Sequence, residues 1–402
     1  MMSNTPEVRF AGFSEDWKKR EFKSTFTILQ NNTLSRAELV DDCGAAQNVH
    51  YGDVLVRFGE VLDLETEELP YIESAQIAEK YKSSYLHNGD VIVADTAEDE
   101  AAGKCTEILG VGDVPVVSGL HTIPLRPQQD FATGYLGYYL NSDVYHHSLL
   151  PLLQGTKVLS ISKTALQGTS ICYPNDYQEQ AQIGDCFRKL DKLIILQQRK
   201  YEKLVALKAA CLDKMFPKNG SKVPEVRFAG FSGDWKLRKL NDEASEIVAG
   251  GDVDKSLLTE NGKYPVIANA LTNDGVVGYY AEEYRIKAPA VTVTGRGDVG
   301  HAKARQVDFT PVVRLLSIRT KHDVLFLENA INTLSIIIES TGVPQLTVPQ
   351  LARYKLFFPP TVDEEKAIGN FLVNLDTLIT LHQCKLVKLK QVKQAMLHDM
   401  FV

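Results

Sequence analysis

The sequence predicts an α+β protein in which two mixed α/β domains are separated by two long helices packed as an antiparallel coiled coil, giving a pseudo-two-fold internal repeat. Three observations lead there. A twelve-residue tag occurs twice: PEVRFAGFSEDW at 6–17 and PEVRFAGFSGDW at 224–235, with a single difference. A longer stretch, 154–216, can be laid on 341–401. The segments between, about 20–155 and 238–341, are hardly alike. A repeated frame carrying two unlike inserts does one job on two different targets.

Taken in chain order, residues 1–158 hold the first tag and first variable domain. Gly52–Arg57 and Gly89–Val93 read as short strands entered from tight turns, followed by strands at Val114–Val117 and His121–Leu125. An aromatic-rich helix is expected from about Asp130.

Residues 159–222 form the first shared region. Its helix, about 176–216, opens on Asp176-x-x-Glu179 like a capping box and stops before Pro217. Ile183, Phe187, Leu190, Ile194, Tyr201 and Leu204 step by threes and fours as one heptad seam.

Residues 223–346 hold the second tag and second variable domain. Strands are expected at Tyr264–Ile267, Gly275–Tyr280, Ala290–Thr294 and Val312–Ile318, and a helix from about Asp323 to Glu339. Residues 347–402 repeat the shared region with a helix at about 361–401. Its box is Thr361-x-x-Glu364 and its seam is Ile368, Leu372, Leu375, Ile379, Leu386 and Leu389. Upstream of the helices, Gly155, Leu159 and Ile161 fall on Gly342, Leu346 and Val348; from Pro174 onward the match needs no gap. Gln197 with His382, and Lys208 with Lys393, interrupt the two seams at equal places. Each helix would be about 58 Å long. The partner available to each seam is the other copy.

Composition narrows the function classes. No apolar run approaches the roughly 20 residues that span a bilayer, and the first residues carry neither a basic region nor an apolar core. The expectation is a cytoplasmic protein without membrane contact. Six cysteines form no Cys-x-x-Cys pair and stand beside no spaced histidines, so they read as free thiols and no metal site is expected. Net charge is −7, which counts against an unaided nucleic-acid binder unless partners supply phosphate contacts.

The loop Thr294-Gly-Arg-Gly-Asp-Val-Gly-His301 is the segment best suited to touch DNA. Its glycines let the backbone approach a phosphate, and Arg296 can take a phosphate or the O6/N7 edge of guanine. His301 and Lys303 extend the patch. Asn269 and Asn273 can read adenine or serve turn chemistry. In the first variable domain the corresponding candidates are Arg57, Lys104, His121 and Lys157. No catalytic residue is expected. Phe357-Phe-Pro-Pro-Thr361 lacks the amide or carboxylate that an adenine methyltransferase places before its prolines. The acidic run Asp95–Lys104 has Gly103 where a metal nuclease needs an acid.

The paired tags, the paired helix regions and the Gly-Arg-Gly loop resemble the specificity subunit of type I restriction–modification systems, over essentially the whole chain. The resemblance implies that each variable region is a target recognition domain reading one half of a bipartite, asymmetric DNA site. It implies that the coiled coil sets the spacing and docks two modification (methyltransferase) subunits. Restriction subunits would join them, and the partners, not this chain, would use S-adenosylmethionine, ATP and Mg. The rival expectation is a coiled-coil scaffold with two protein-binding domains.

Overall fold

The structure, a computed structural model, describes residues 4–218, 220–336 and 344–402. It divides into two units. The first holds residues 1–196 and 385–402; the second holds 197–384. Each unit therefore takes one end of each long helix, Tyr177–Lys214 and Val362–Asp399, both 38 residues long.

In the first unit a five-stranded sheet runs in the order Phe26–Ile28, Thr122–Pro127, Val91–Ala94, Cys105–Leu109, Val61–Asp63. Neighbours are antiparallel except the last pair. A smaller sheet sets Ala46–Val49 between Tyr71–Ile72 and the parallel strand Val116–Ser118. The second unit repeats the plan: Ala244–Ala249, Leu316–Thr320, Ala290–Val293, Ala302–Arg305, with Tyr264–Ile267 between Val276–Tyr280 and the parallel Thr310–Pro311. In both units an asparagine at the end of a helix stitches it to the sheet. Asn141 bonds the N–H and C=O of Cys105, and Asn332 those of Ala302.

The helix ends establish the direction of packing. In the first unit Ile183 and Phe187, near the start of the first helix, share a core with Met400 and Phe401 just past the end of the second; the Phe187 and Phe401 rings stack at 5.7 Å. In the second unit Met215 and Phe216, past the end of the first helix, share a core with Ile368, Leu372 and Leu375 from the start of the second. The helices are antiparallel. Ile183, Phe187, Leu190, Ile368, Leu372, Leu375 and Leu386 are buried. Ile194, Tyr201, Leu204, Ile379 and Leu389 are half-buried where only two helices meet. The two interrupting polar residues find each other: His382 Nδ1 lies 2.7 Å from Gln197 Oε1.

The repeated tag is a clasp. Arg9 donates to both carboxylate oxygens of Glu179 at 2.6 and 2.8 Å, and the Trp17 indole N–H donates to the same group at 3.2 Å. Val8 N–H donates to Asp399 C=O, at the end of the other helix. In the second unit Arg227 and Trp235 hold Glu364 in the same way, and Val226 N–H donates to Lys214 C=O. Both glutamates are 1% exposed. An unpaired carboxylate at such a depth costs about 3–5 kcal/mol, which explains why arginine, tryptophan and glutamate recur together. These contacts correct the capping-box reading. Asp176 and Thr361 do cap their helices, but Glu179 and Glu364 are taken by the tags.

Other expectations are also revised. Gly52–Arg57 is not a strand but lies in a helix, Tyr51–Val56, capped by His50 Nδ1 on Gly52 N–H. The aromatic helix begins at Tyr135, not near Asp130, because Gly134 precedes it with φ 85°. Glu107 caps that start by accepting from Gly134 and Gly137 N–H; burial pushes its pKa up to about 7. The helix of the second domain ends at Asn332, and residues 337–339 of the expected span lie outside the described residues. The expected strand from Val312 begins only at Leu316, since Arg314 turns left-handed. The repeat alignment shifts as well. Ser162 and Thr347 both start short helices, and Ile161 and Leu346 both donate to the opening residue of a hairpin loop. Ile161 thus matches Leu346, two residues from the sequence alignment, and the ungapped match reaches upstream from Pro174 to Ile161. Gly342 lies outside the described residues.

Candidate nucleic-acid interface

Each variable domain has an end anchored on the long helices and an opposite, hairpin end. In the first, the segment after strand Thr122–Pro127 packs on the long helix: Ala132 N–H donates to Gln180, and Gly184 leaves room for the Thr133 carbonyl. In the second, Asp323 N–H donates to Glu365 after strand Leu316–Thr320. The opposite ends of these strands make no backbone hydrogen bond to the long helices among the described residues. There the hairpin loops opening at Asp95 and Gly295 leave matching positions in the two large sheets: Ala94 N–H donates to Lys104 C=O, and Thr294 N–H to His301 C=O.

The second hairpin is held tightly. Gly300 N–H and His301 N–H donate to Thr294, and Thr294 Oγ1 donates to Asp298 C=O. A Cβ at Gly295 would lie 2.2 Å from Arg314 O, so only glycine fits. Arg296 and His301 project from this rigid base and are exposed. Asn269 does not point its amide outward. It accepts from Gly295 N–H at 2.8 Å and donates to Val313 C=O at 3.0 Å, tying three loops together. Asn273 sits in a left-handed turn and donates to Val276 C=O. Lys303 lies 3.8 Å from Glu328. Two groups were missed. Arg314, at φ 70°, donates to Gln345 Oε1 at 3.3 Å beside the hairpin. Arg305 reaches Thr292 and Asp274 C=O, and burial lowers its pKa.

The first domain carries different chemistry on the same plan. Its hairpin exposes Glu98, Asp99 and Glu100 where the second has Gly-Arg-Gly. His121, at φ 56°, stands beside it, with Nδ1 3.4 Å from Asp95 Oδ1 and its ring edge-on to Tyr51 at 5.3 Å. The His50 ring packs tilted against Tyr51 at 4.7 Å; burial lowers its pKa, and its Nδ1 accepts from Gly52 N–H. Lys104 is turned inward: its ammonium donates to Leu55 C=O at 2.7 Å and Phe58 C=O at 3.3 Å, closing the helix Tyr51–Val56, and burial lowers its pKa. Arg57 pairs with Glu67 at 2.9 Å on the surface, and Lys157 is exposed. The structure therefore gathers His121 with His50 and Tyr51, and Arg296 with Arg314 and His301. It gives Lys104 and Asn269 internal work. Arg314 had one sequence signal, an arginine between a Pro-Val-Val strand end and a Leu-Leu strand start.

Among the described residues no cluster of histidine, cysteine and carboxylate could hold a metal ion, and no helix is long and apolar enough to cross a membrane.

Comparison with known proteins agrees with this architecture. The family model for the type I restriction modification DNA specificity domain matches twice, over residues 14–206 and 232–391. A candidate type I restriction enzyme specificity subunit of Methanocaldococcus jannaschii is 22% identical over 98% of this chain and 95% of its own length. A candidate type I specificity subunit of Mycoplasma pneumoniae is 29% identical over 131 residues, 31% of this chain and 36% of that protein. Among solved structures, the type I restriction–modification S subunit of M. genitalium superposes with a TM-score of 0.63 at 13% identity, covering 99% of both chains. A chain from a structural study of complex assembly and conformational transition in a type I system gives 0.50 at 15% identity, covering 95% and 96%. With two matched copies of the domain spanning most of its length, the chain belongs to the type I restriction–modification DNA specificity family.

Proposed function

We propose that this chain reads DNA for a type I restriction–modification complex, each recognition domain taking one half of a bipartite, asymmetric site. The observation that carries this reading is the contrast between frame and tip. Clasp, helix start and sheet order repeat from one unit to the other, whereas the hairpin ends present Arg296, Arg314 and His301 in one and His50, Tyr51 and His121 in the other. Arginine suits guanine and phosphate, histidine and tyrosine suit other base edges, and unlike tips read unlike half-sites.

In this reading the two helices set the spacing and dock two modification subunits. Leu193, Ile195 and Leu196 on the first helix, and Leu378, Leu381, Val387 and Val392 on the second, are exposed. Apolar residues outside a coil seam suit partner surfaces. The partners bring S-adenosylmethionine for adenine methylation, and ATP with Mg in the restriction subunits. They also bring basic surface, which reconciles DNA reading with a net charge of −7. The chain acts as a non-catalytic subunit.

The test is a genome-wide map of methylated adenines in source cells with and without the gene. Loss of one split, asymmetric motif supports the reading. An unchanged map in cells that produce the protein overturns it and leaves a protein-binding scaffold.

A further inference from the structure

His121 and Arg314 occupy the same corner of two domains whose sequences hardly match. Each follows the short parallel strand, Val116–Ser118 or Thr310–Pro311, and precedes the strand that enters the large sheet. Each presents its carbonyl to the opening residue of the hairpin loop. Asp95 N–H donates to His121 C=O at 3.1 Å, and the Arg314 oxygen fills the space beside Gly295. In turn Asp95 C=O accepts from Ile161 N–H, and Gly295 C=O from Leu346 N–H.

Both corners are left-handed, at φ 56° and 70°. The other non-glycine residues with positive φ among those described are Asn273 and Asp274, whose side chains tolerate it. Histidine shares that tolerance but arginine does not, so Arg314 is the strained case, and glycine would make either turn freely. A long polar side chain retained at a strained corner marks a position where the side chain itself is needed. Each is steadied by one polar neighbour. Gln345 accepts from Arg314 Nη1, and among the described residues no other partner holds the guanidinium fork. Asp95 faces His121 Nδ1 and favours the proton there, so Nε2 is left to accept.

We propose that this corner is the principal base-reading position of each recognition domain: Arg314 takes the O6/N7 edge of a guanine, and His121 Nε2 accepts from the amino group of an adenine or cytosine. This rests on the reading above that the chain is a DNA specificity subunit. The major groove displays these groups uniquely for each base pair. A rigid corner at the hairpin end of the sheet supplies the fixed geometry that a bidentate contact needs.

The experiment uses the full chain in complex with its partner subunits, selecting bound sequences from a random duplex library. With the wild type, one position of one half-site should demand guanine. Arg314→Ala should lower that demand at least tenfold and leave the other half-site and the spacer unchanged. Arg314→Gly should do the same while raising the melting temperature, because glycine relieves the turn. His121→Ala should relax one position in the other half-site only. Variants that keep the whole motif overturn the proposal. So does a uniform loss of affinity with every position still discriminated, the mark of a phosphate contact. A wild-type complex that selects no motif at all refutes the underlying specificity reading instead.

Discussion

His322 illustrates how a single residue differentiates two copies of one frame. Its ring lies between two carboxylates, Nδ1 2.7 Å from Glu365 and Nε2 2.9 Å from Glu243, with Phe358 packed at 4.2 Å. Arg238 and Lys321 also face Glu243, at 3.2 and 3.4 Å. Burial alone lowers the histidine pKa, but the two carboxylates outweigh it and the net shift is upward. For Glu243, burial raises the pKa; His322 and Lys321 outweigh that and hold it below its ordinary value. A raised histidine contributes stability that is complete below its unfolded pKa of about 6.5 and is lost as pH rises through the folded value. A lowered glutamate contributes stability that is present above about 4.5 and is lost as pH falls through its folded value. The anchored end of the second domain is therefore firmest between these limits. In the first unit the matching contacts are neutral: Gln129 donates to Tyr173 Oη, and Gln180 accepts from Ala132 N–H. Amide exchange in Val324–Asn332, corrected for intrinsic rates, should accelerate above neutral pH in the wild type, and His322→Gln should flatten that rise. Identical profiles in the two proteins would remove the bridge from the account. Nothing in the sequence announced it, because the partners stand 43 and 79 residues away and no motif links them.

Elements were legible in proportion to how locally they are determined. The long helices rest on periodicity and caps within their own span, and their bounds fall within two residues of those expected. The recognition domains offer the contrast. Gly52-Asp53-Val54 and Gly89-Asp90-Val91 open alike, yet the first lies in a helix and the second leads into a buried strand. Their surroundings decide. Asp90 is locked by Arg126 at 3.0 and 2.7 Å and by His87 N–H, fixing the turn before the strand. The first run is instead closed by Lys104, distant in sequence. The helix seam shows the same limit. Lys208 and Lys393 were readable as interruptions, but their acidic partners were not. Lys393 lies 2.6 Å from Glu60 and 2.7 Å from Asp191, under the Tyr138 ring; Lys208 pairs with Asp376. Asp191 and Asp376 are themselves matched repeat positions, so each helix offers its lysine to the other's aspartate. Lys393→Ala would leave two partly buried carboxylates facing each other. It should cost about 2–4 kcal/mol, read by chemical denaturation, with Lys393→Arg recovering most of the loss. A cost below about 0.5 kcal/mol, the range of a surface pair, would show the network to be incidental to the coil.

For the whole molecule, the proposed ruler makes a geometric demand that couples protein and DNA periodicities. Removing one heptad from each long helix preserves the phase of the seam, because an antiparallel coil repeats every seven residues. It shortens the rod by about 10 Å, close to three base pairs at about 3.4 Å each. The coil tolerates that change, but three base pairs turn the duplex by roughly a third of its helical repeat, so the second half-site would face away from its reader. Adding three heptads to each helix lengthens the rod by about 32 Å, nearly the 34–36 Å of one DNA turn. Both half-sites then return to the same face. The expectation is asymmetric. The one-heptad deletion should shift the methylated motif to a shorter spacer with much reduced methylation. The three-heptad insertion should give a spacer longer by nine or ten base pairs with activity largely kept. The measurement is the methylated-adenine map of cells carrying each variant with its partner subunits. An unchanged spacer in a stably assembled variant would mean that the distance is set by the partners rather than by the helices.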